Sequence, residues 1–217
     1  MADAEEPLEI FNDNFESIGV APRSEAHRKG LWHKTFHCWI AGREGDKRYL
    51  VLQLRGPEKE WFPNMLDITA GGHILAGETD EESTRELDEE MGVKAKLSDL
   101  VPLGVRVEPT ISGNLINREF CMVYLLELSK PIEDYDFQVE EVSGVFKVYL
   151  NDGIALLTGK ASDIRADGVI VENGERKRVT KTFTTGDFIK TADNYYLKMF
   201  ILADRYFNGE DRGRLLV

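Results

Sequence analysis

The segment at residues 72–93, GHILAGETDEESTRELDEEMGV, constrains this chain most strongly, because it places eight carboxylates and one arginine in a single loop and helix. Thr79 and Glu82 have the spacing of a helix capping box, and Gly92 is a typical helix stop. We therefore expect a helix over residues 80–91. So much like charge in one short segment needs a physical reason.

Four glutamates of this predicted helix share one side, at positions i, i+4, i+7 and i+8. They are Glu82, Glu86, Glu89 and Glu90. Leu87, Met91 and Ser83 face the core instead. Each i,i+4 pair of like charges costs a helix about 0.2–0.5 kcal/mol, and bound Mg²⁺ or Mn²⁺ would reverse that cost because these cations prefer clustered oxygen ligands. A solvated acidic helix is the simpler alternative, but it explains neither the glycines at both ends nor the single arginine.

The spacing of these residues resembles the Nudix box. Gly72, five intervening residues and Glu78 are followed by Arg85 and the sequence ELDEEMGV. The family pattern has seven residues between the first glutamate and the arginine, whereas this chain has six, residues 79–84. The shortening lies ahead of the Arg-Glu-x-x-Glu-Glu core, so we expect the metal-binding side of the helix to be kept.

The resemblance implies a role for each residue of the box. The metal ligands that it implies are the Gly72 carbonyl oxygen, Glu86, Glu89 and Glu90. It also implies that Arg85 orients the glutamates through an ion pair with Glu78, and that Arg85, Glu89 and Glu90 take part in catalysis. Mg²⁺ is the expected cofactor, with Mn²⁺ as an alternative.

The chain's length of 217 residues indicates one domain, or one domain with an elaboration. Its net charge of −12 disfavours binding to a nucleic acid polymer. The chain has no run of 18 apolar residues, and its acidic start is unlike a signal peptide, so we expect no membrane span and a cytoplasmic location. Cys38 and Cys121 lie in apolar runs without metal-type spacing, which predicts reduced, buried thiols.

Three histidines add a second resemblance. His27 and His33 precede the box, and His73 follows Gly72 directly. This arrangement is similar to the isopentenyl-diphosphate isomerase branch of the Nudix superfamily, in which two histidines at His-x5-His spacing and a Gly-His pair join the metal site. Converging imidazoles would suit Mn²⁺ or Zn²⁺ better than Mg²⁺. A hydrogen-bonded structural group is the alternative, as is a substrate contact, for which His73 is a candidate.

Two departures from the isomerase branch argue against isomerisation. That chemistry is expected to need a cysteine just before the Gly-His pair, where this chain has Gly71. The branch also has a Glu-x-Glu pair ahead of a cysteine on a later strand, and here Asn117 and Glu119 precede Cys121. We therefore expect an isomerase-like scaffold that performs hydrolysis.

Alternating apolar residues and turn signals predict the rest of the core. The expected strands form a hairpin within residues 8–20 and then cover 35–40, 49–54, 65–69, 100–109, 119–128 and 142–150. A turn is expected at Gly113 and Asn114. After residue 151 we expect a short helix at 154–157, a hairpin around Asn173 and Gly174, and a helix at 192–207.

The architecture implied is a Nudix α/β/α sandwich with a mixed β-sheet, the box helix on one side and the C-terminal helix on the other. We divide the chain into N-terminal strands at residues 1–29, a Nudix core at 30–150 and a C-terminal hairpin and helix elaboration at 151–217. The second hairpin arm, residues 176–181, is basic. It is a candidate phosphate contact or dimer surface, or an edge strand protected by charge; a homodimer is a further expectation.

The predicted reaction is metal-dependent hydrolysis of a diphosphate linkage in a nucleoside diphosphate derivative or a similar small diphosphate. Glu119, Glu140 and Glu141 are candidates for completing the metal shell or for the general base, with Glu119 slightly favoured. The two competing hypotheses are an isopentenyl-diphosphate isomerase-like enzyme and a non-catalytic module that binds a diphosphate ligand. The sequence does not name the substrate.

Three further side chains are candidate substrate contacts. Arg55 and Arg106 could bind phosphate bidentately through their guanidinium groups, with surface ion pairing as the alternative. Trp61, in a polar loop near the box, could stack on a base or cover the substrate, and a packing role is the alternative.

Overall fold

The structure, a computed structural model, describes residues 6–59, 61–112 and 115–217. Its strands are β1 (Pro7–Phe11), β2 (Ser17–Pro22), β3 (Trp32–Glu44), β4 (Lys47–Arg55), β5 (Leu66–Asp67), β6 (Ala70–His73), β7 (Val101–Ser112), β8 (Leu115–Glu127), β9 (Val142–Tyr149), β10 (Ile164–Glu172) and β11 (Glu175–Phe183). Its α-helices are α1 (Arg23–Lys29), α2 (Arg85–Met91), α3 (Leu150–Leu157) and α4 (Tyr195–Phe207).

The long strand β3 organises a single mixed sheet. One of its edges pairs in turn with β1, β6 and β4, all antiparallel, and its other edge runs parallel to β8. The sheet continues from β4 through β9, β10 and β11, and from β8 to β7. The predicted mixed sheet is therefore confirmed.

Successive side chains of β4 point to opposite faces of the sheet, so the strand contributes to a hydrophobic core on each face. Leu50 and Leu52 pack with α3 and α4 on one face, whereas Val51 packs with Leu87 and Met91 of α2 on the other. The predicted sandwich, with the box helix and the C-terminal helix on opposite sides, is confirmed. Cys38 and Cys121 are buried free thiols, as expected.

Most predicted strands are present but longer than expected. The strand predicted at 35–40 runs from Trp32 to Glu44, because residues 32–34 also pair with β8 and residues 41–44 also pair with β4. The hairpin around Asn173 and Gly174 is confirmed. The turn predicted at Gly113 and Asn114 lies outside the described residues.

Helix α1 was not predicted from the sequence. Pro22 precedes the helix, Glu25 lies in its first turn, and Gly30 ends it in the left-handed conformation. These are ordinary start and stop signals. The helix has only seven residues and a single buried one, Ala26, so its apolar periodicity is too short to detect.

The C-terminal elaboration packs closely on the core. A Cβ added at Gly153 of α3 would lie 2.4 Å from the Phe200 ring of α4, so the glycine permits the two helices to approach. Phe200 is fully buried in the same core cluster as Leu52 of β4. No helix within the described ranges is long and apolar enough to span a bilayer.

Replacing Phe200 with alanine is expected to lower the free energy of unfolding by about 3–5 kcal/mol, because it leaves a cavity between the C-terminal helices and the sheet. Urea unfolding followed by circular dichroism measures this change. Ile201→Ala is the matched control on the same helix, since Ile201 is 41% exposed. A loss below about 1 kcal/mol in Phe200→Ala would show that the helix does not share the core.

Candidate active site

The box segment combines a capped turn, a 3₁₀ turn and a short α-helix. The capping box is present, since the Thr79 backbone N–H donates to the Glu82 carboxylate at 2.8 Å. The prediction of a continuous helix over 80–91 was wrong, however, because residues 82–84 form a 3₁₀ turn and α2 begins only at Arg85. Gly92 ends the helix at a φ of 61°, as expected.

The 3₁₀ turn offsets the missing residue of the box. A 3₁₀ helix rises about 2.0 Å per residue and an α-helix about 1.5 Å. Three residues of 3₁₀ therefore add about 1.5 Å, which is the rise of one α-helical residue. Arg85 consequently reaches Glu78, and their Nε and Oε1 atoms lie 2.8 Å apart. The expected ion pair is present.

Arg85 binds several groups of the site at once. Its Nη1 atom lies 2.7 Å from Glu86 Oε1 and 2.9 Å from Glu89 Oε2, and its Nη2 donates to the His73 carbonyl oxygen at 3.0 Å. The guanidinium group therefore ties two of the carboxylates on α2 to strand β6.

Two glycines of β6 allow the carboxylates of α2 to approach the strand. A Cβ at Gly72 would lie 2.2 Å from the Glu86 carboxylate carbon, so only glycine leaves room for that carboxylate. The Gly71 backbone N–H donates to Glu90 Oε2 at 2.9 Å, and Gln53 donates to the same oxygen at 3.2 Å. The carboxylates are thus held against backbone rather than extended into solvent.

Burial gives two of these carboxylates unusual protonation behaviour. Glu86 is 8% exposed and Glu90 is 4% exposed. Burial raises the pKa of Glu86 to about 7 and that of Glu90 to about 8, since each carboxylate loses hydration and lies near other carboxylates. Glu89 extends further out, with about half of its side chain exposed. Two buried carboxylates with unfavourable ionisation are a donor set that a divalent cation would stabilise.

A cavity of about 300 Å³ adjoins these carboxylates. Its opposite wall is polar because the strand register aligns polar side chains across three strands. We call this wall the polar strand face; it comprises Thr35 and His37 of β3, Asn117 and Glu119 of β8, and Arg106, Glu108 and Thr110 of β7.

The three histidines singled out in the sequence do converge. The Nε2 atoms of His27 and His73 lie 3.3 Å apart, and ligand atoms of His27, His33 and His73 all lie within 4.8 Å of one another. Burial lowers the pKa of His27 to about 4 and that of His73 well below its usual value, so both rings are neutral. His33 Nε2 is buried without a hydrogen-bond partner among the described residues. Neutral converging imidazoles could hold Mn²⁺ or Zn²⁺.

The candidate general bases lie in different places. Glu119 is beside the histidines, with Oε1 3.9 Å from His33 Nε2 and 2.6 Å from the amide nitrogen of Asn117. Glu141 lines the cavity near the box, where its charge contributes to the raised pKa values of Glu86 and Glu90. Glu140 is exposed. Proximity to the box carboxylates therefore favours Glu141 over the sequence-based preference for Glu119.

The two arginines proposed as phosphate clamps are both in ion pairs. Arg106 is 6% exposed and binds Asp193 bidentately at 2.9 and 3.0 Å, and it also contacts Glu108. Its charge is therefore used within the protein. Arg55 lies at the cavity, with Nη1 2.8 Å from Asp67 Oδ2. Both arginines therefore form ion pairs within the protein, which is the alternative to phosphate binding that the sequence left open.

Aromatic and polar residues outside the box complete the cavity. Trp61 lines it, and its carbonyl oxygen accepts a hydrogen bond from Arg55 Nε at 3.0 Å. Sequence reasoning missed Gln53, Lys59 and Tyr195, which also line it. Gln53 could have been noticed as the one amide in an apolar strand, YLVLQL, whereas nothing local distinguishes the other two.

Gly71 occupies the place of the isomerase cysteine, and a side chain there would have close neighbours. A Cβ at Gly71 would lie 2.6 Å from Ile68 Cδ1, 3.1 Å from the Phe36 carbonyl oxygen and 3.4 Å from Cδ2 of His37. A side chain at this position would require the end of the Ile68 side chain to move, whereas its contact with the His37 ring would be an ordinary one.

Comparison with known proteins gives a consistent result. No protein-family model matches the chain. The chain is 40% identical over 204 residues to an uncharacterized Nudix hydrolase of Clostridium acetobutylicum, covering 93% of this chain and 99% of that protein. It is 39% identical over 148 residues to Nudix hydrolase 3 of Arabidopsis thaliana, covering 65% of this chain and 19% of that protein. At 28% identity it also matches an isopentenyl-diphosphate Delta-isomerase of Saccharopolyspora erythraea, covering 55% of this chain and 61% of that protein.

Solved structures show the same fold. A Deinococcus radiodurans protein aligns with a TM-score of 0.53 and 23% identity, covering 71% of this chain and 90% of that one. A MutT/nudix family protein of Enterococcus faecalis aligns with a TM-score of 0.51 and 13% identity, covering 84% of this chain and 65% of that one. Because the Clostridium relative matches along nearly its whole length, this chain belongs to the Nudix hydrolase family, enzymes that hydrolyse phosphorus-containing anhydrides.

Proposed function

We propose that this protein hydrolyses the diphosphate linkage of a nucleoside diphosphate derivative or a similar small diphosphate, with a divalent cation at the box. The observation that carries the proposal is the burial of Glu86 and Glu90 beside Gly71 and Gly72 of β6, at the wall of a cavity. Isolated buried carboxylates are costly. A bound divalent cation would offset that cost by neutralising the carboxylates.

The donor set fits Mg²⁺ or Mn²⁺. Carboxylate oxygens from α2 and the backbone carbonyl of Gly72 are the hard ligands that these cations prefer. We assign Glu86, Glu89 and Glu90 as ligands together with Gly72. When bound, such a cation polarises phosphoryl oxygens and lowers the pKa of water.

The roles of the remaining residues follow from their contacts. Arg85 positions Glu86 and Glu89 through its ion pairs. We assign Glu141 as the general base that accepts the proton of the attacking water, because it adjoins the box carboxylates and its ion pair with Lys59, at 2.6 Å, fixes its position. Arg55 and Trp61 border the cavity as substrate contacts.

The wider proposal retains the expectations from composition. A chain with a net charge of −12 is suited to a small diphosphate that is recruited by a cation and local contacts, not to a nucleic acid polymer. A cytoplasmic location and a homodimeric state are also proposed, the latter testable by light scattering.

The direct test is product release from purified protein incubated with nucleoside diphosphate derivatives, dinucleoside polyphosphates and prenyl diphosphates, each with Mg²⁺, Mn²⁺ or EDTA. We expect metal-dependent hydrolysis that is absent from a Glu89→Gln, Glu90→Gln double variant. A folded protein without turnover on any substrate, but with ligand-induced thermal shifts, would instead support the non-catalytic binding module.

The isomerase alternative receives less support. Gly71 stands where the required cysteine is expected, a side chain there would displace the end of Ile68, and Asn117 stands in place of one of the two expected glutamates. A double-bond isomerisation assay with isopentenyl diphosphate, followed by proton NMR, distinguishes the two reactions. We expect no isomerised product.

The raised carboxylate pKa values predict how stability depends on pH. Without a cation, the folded protein keeps protons on Glu86 and Glu90 that the unfolded chain releases near its ordinary pKa of 4.5. Stability of the metal-free protein should therefore fall as the pH rises from about 4.5 to about 8. Mg²⁺ should raise the melting temperature more at pH 8 than at pH 5.5, where protons compete. Equal shifts at the two pH values would contradict ligation by these carboxylates.

A further inference from the structure

Two successive hydrogen bonds connect a buried tryptophan, through a tyrosine hydroxyl, to His37 of the polar strand face. Trp39 Nε1 donates to the Tyr195 hydroxyl oxygen at 2.9 Å, and the same hydroxyl lies 3.2 Å from His37 Nδ1. Trp39 is fully buried in β3, and Tyr195 is 1% exposed at the start of α4. These hydrogen bonds therefore link the C-terminal elaboration to the His37 ring.

The order of donors and acceptors in these two hydrogen bonds determines which nitrogen of His37 carries the proton. An indole N–H can only donate, so the Tyr195 oxygen accepts from Trp39. The hydroxyl proton then has His37 Nδ1 as its acceptor, since Tyr195 has no other side-chain hydrogen bond to a described residue. Because Nδ1 accepts, the ring proton is on Nε2.

The free edge of the ring faces the cavity. His37 lines the cavity, and its Nε2 makes no hydrogen bond to any residue that the structure describes. The ring also lies beside Gly71, whose missing side chain keeps that edge open. His37 thus offers one neutral N–H donor to a bound molecule.

The charges around the cavity restrict the charge that the bound molecule can have. Among the described residues, eight acidic side chains and five arginines and lysines line the cavity. Each of the five cations is paired with a carboxylate. They are Arg23, Arg55, Lys59, Arg85 and Arg106. On the polar strand face, Glu108 and Asp193 already neutralise Arg106. A second anionic group there would adjoin carboxylates without a spare cation.

We propose that the polar strand face is the subsite for the group attached to the diphosphate, that this group is uncharged and hydroxyl-bearing, and that His37 binds one of its oxygens through a fixed Nε2–H donor. Hydroxyls suit this surface because they accept from His37 and donate to Glu119 or Glu108. The inference rests on the proposed function for its view of the substrate, and Tyr195 acts as a positioning residue.

Binding of three monophosphates in the presence of Mg²⁺ tests the subsite by calorimetry. The probes are ribose 5-phosphate, which bears hydroxyls, butyl phosphate, which is apolar, and 3-phosphoglycerate, which adds a carboxylate. We expect ribose 5-phosphate to bind about tenfold more tightly than the other two, as one or two additional hydrogen bonds would give. Tightest binding of butyl phosphate or of 3-phosphoglycerate would overturn the proposal.

Two variants at position 37 separate the hydrogen bond from packing. His37→Phe, which keeps a ring without a donor, should reduce the preference for ribose 5-phosphate about five- to tenfold and leave butyl phosphate binding unchanged. His37→Gln, which keeps an amide donor, should retain most of the preference. An unchanged preference in folded His37→Phe would show that the ring does not contact the ligand.

The tautomer is measured independently by ¹⁵N NMR of the imidazoles in the wild-type protein, with the His37→Gln spectrum assigning the signal. We expect a protonated Nε2 and an unprotonated Nδ1, and a mixture of tautomers in Tyr195→Phe. A protonated Nδ1 in the wild type would overturn the inference even if no variant folds. The three probes contain no diphosphate linkage, so these binding measurements do not depend on hydrolysis. Absence of hydrolysis in the activity assay would therefore contradict the proposed function and leave the subsite inference standing.

Discussion

Glu90→Gln is expected to reduce diphosphate hydrolysis by about 10³-fold, corresponding to about 4 kcal/mol of lost transition-state stabilisation. The amide keeps an oxygen that accepts from the Gly71 N–H and from Gln53, so the fold should be retained. It loses the negative charge that binds the cation. Steady-state kinetics at saturating Mg²⁺, with the metal affinity measured by calorimetry, checks both effects.

Asp88→Asn is the matched control, because Asp88 is on the same helix and the change removes the same charge. Its carboxylate is about half exposed, and its contact with Lys94 is a distant 3.8 Å. Activity should stay within about twofold of wild type, as expected for an exposed pair. Comparable losses in both variants would mean that the total charge of the helix matters, and not ligation by Glu90.

Gly72→Ala is expected to weaken Mg²⁺ binding about 10- to 100-fold and to lower turnover similarly, as changes that displace a ligand typically do. The added methyl would lie 2.3 Å from both oxygens of the Glu86 carboxylate, which must move away. Metal-dependent protection against thermal unfolding provides a measurement that does not depend on the substrate.

Gly186→Ala serves as the control for this substitution, since a Cβ there meets only Thr184 Oγ1, at an ordinary 3.4 Å. It should leave metal binding unchanged. Normal metal affinity in Gly72→Ala would show that Glu86 does not need its position against β6 in order to act as a ligand.

Local spacing predicted the box well because its residues are close in sequence. The capping pair and the helix stop at Gly92 follow from local spacing, and the contact between Arg85 and Glu78 was implied by the resemblance to the Nudix box. The length of regular helix did not follow, because the choice between α and 3₁₀ geometry depends on how the turn must reach Glu78.

The cavity wall could not be predicted in the same way. Arg106 looked like a phosphate clamp, yet its partner Asp193 lies 87 residues later in the chain. His37 was not among the predicted site residues, because its place at the cavity depends on the register of β3 against β6 and on a hydroxyl from α4. Cross-strand register and distant pairing are set by packing, which spacing along the chain does not encode.

The adjacent glycines of β6 have a consequence for how this protein can change. Their missing side chains open opposite faces of the strand, Gly72 toward Glu86 and Gly71 toward His37. The residues assigned to bond cleavage and those assigned to recognition therefore approach β6 from opposite faces while lining the same cavity. Substitutions on β3, β7 and β8 can then redirect substrate preference while the cleavage apparatus keeps its geometry, so new specificities can arise in this scaffold by few steps.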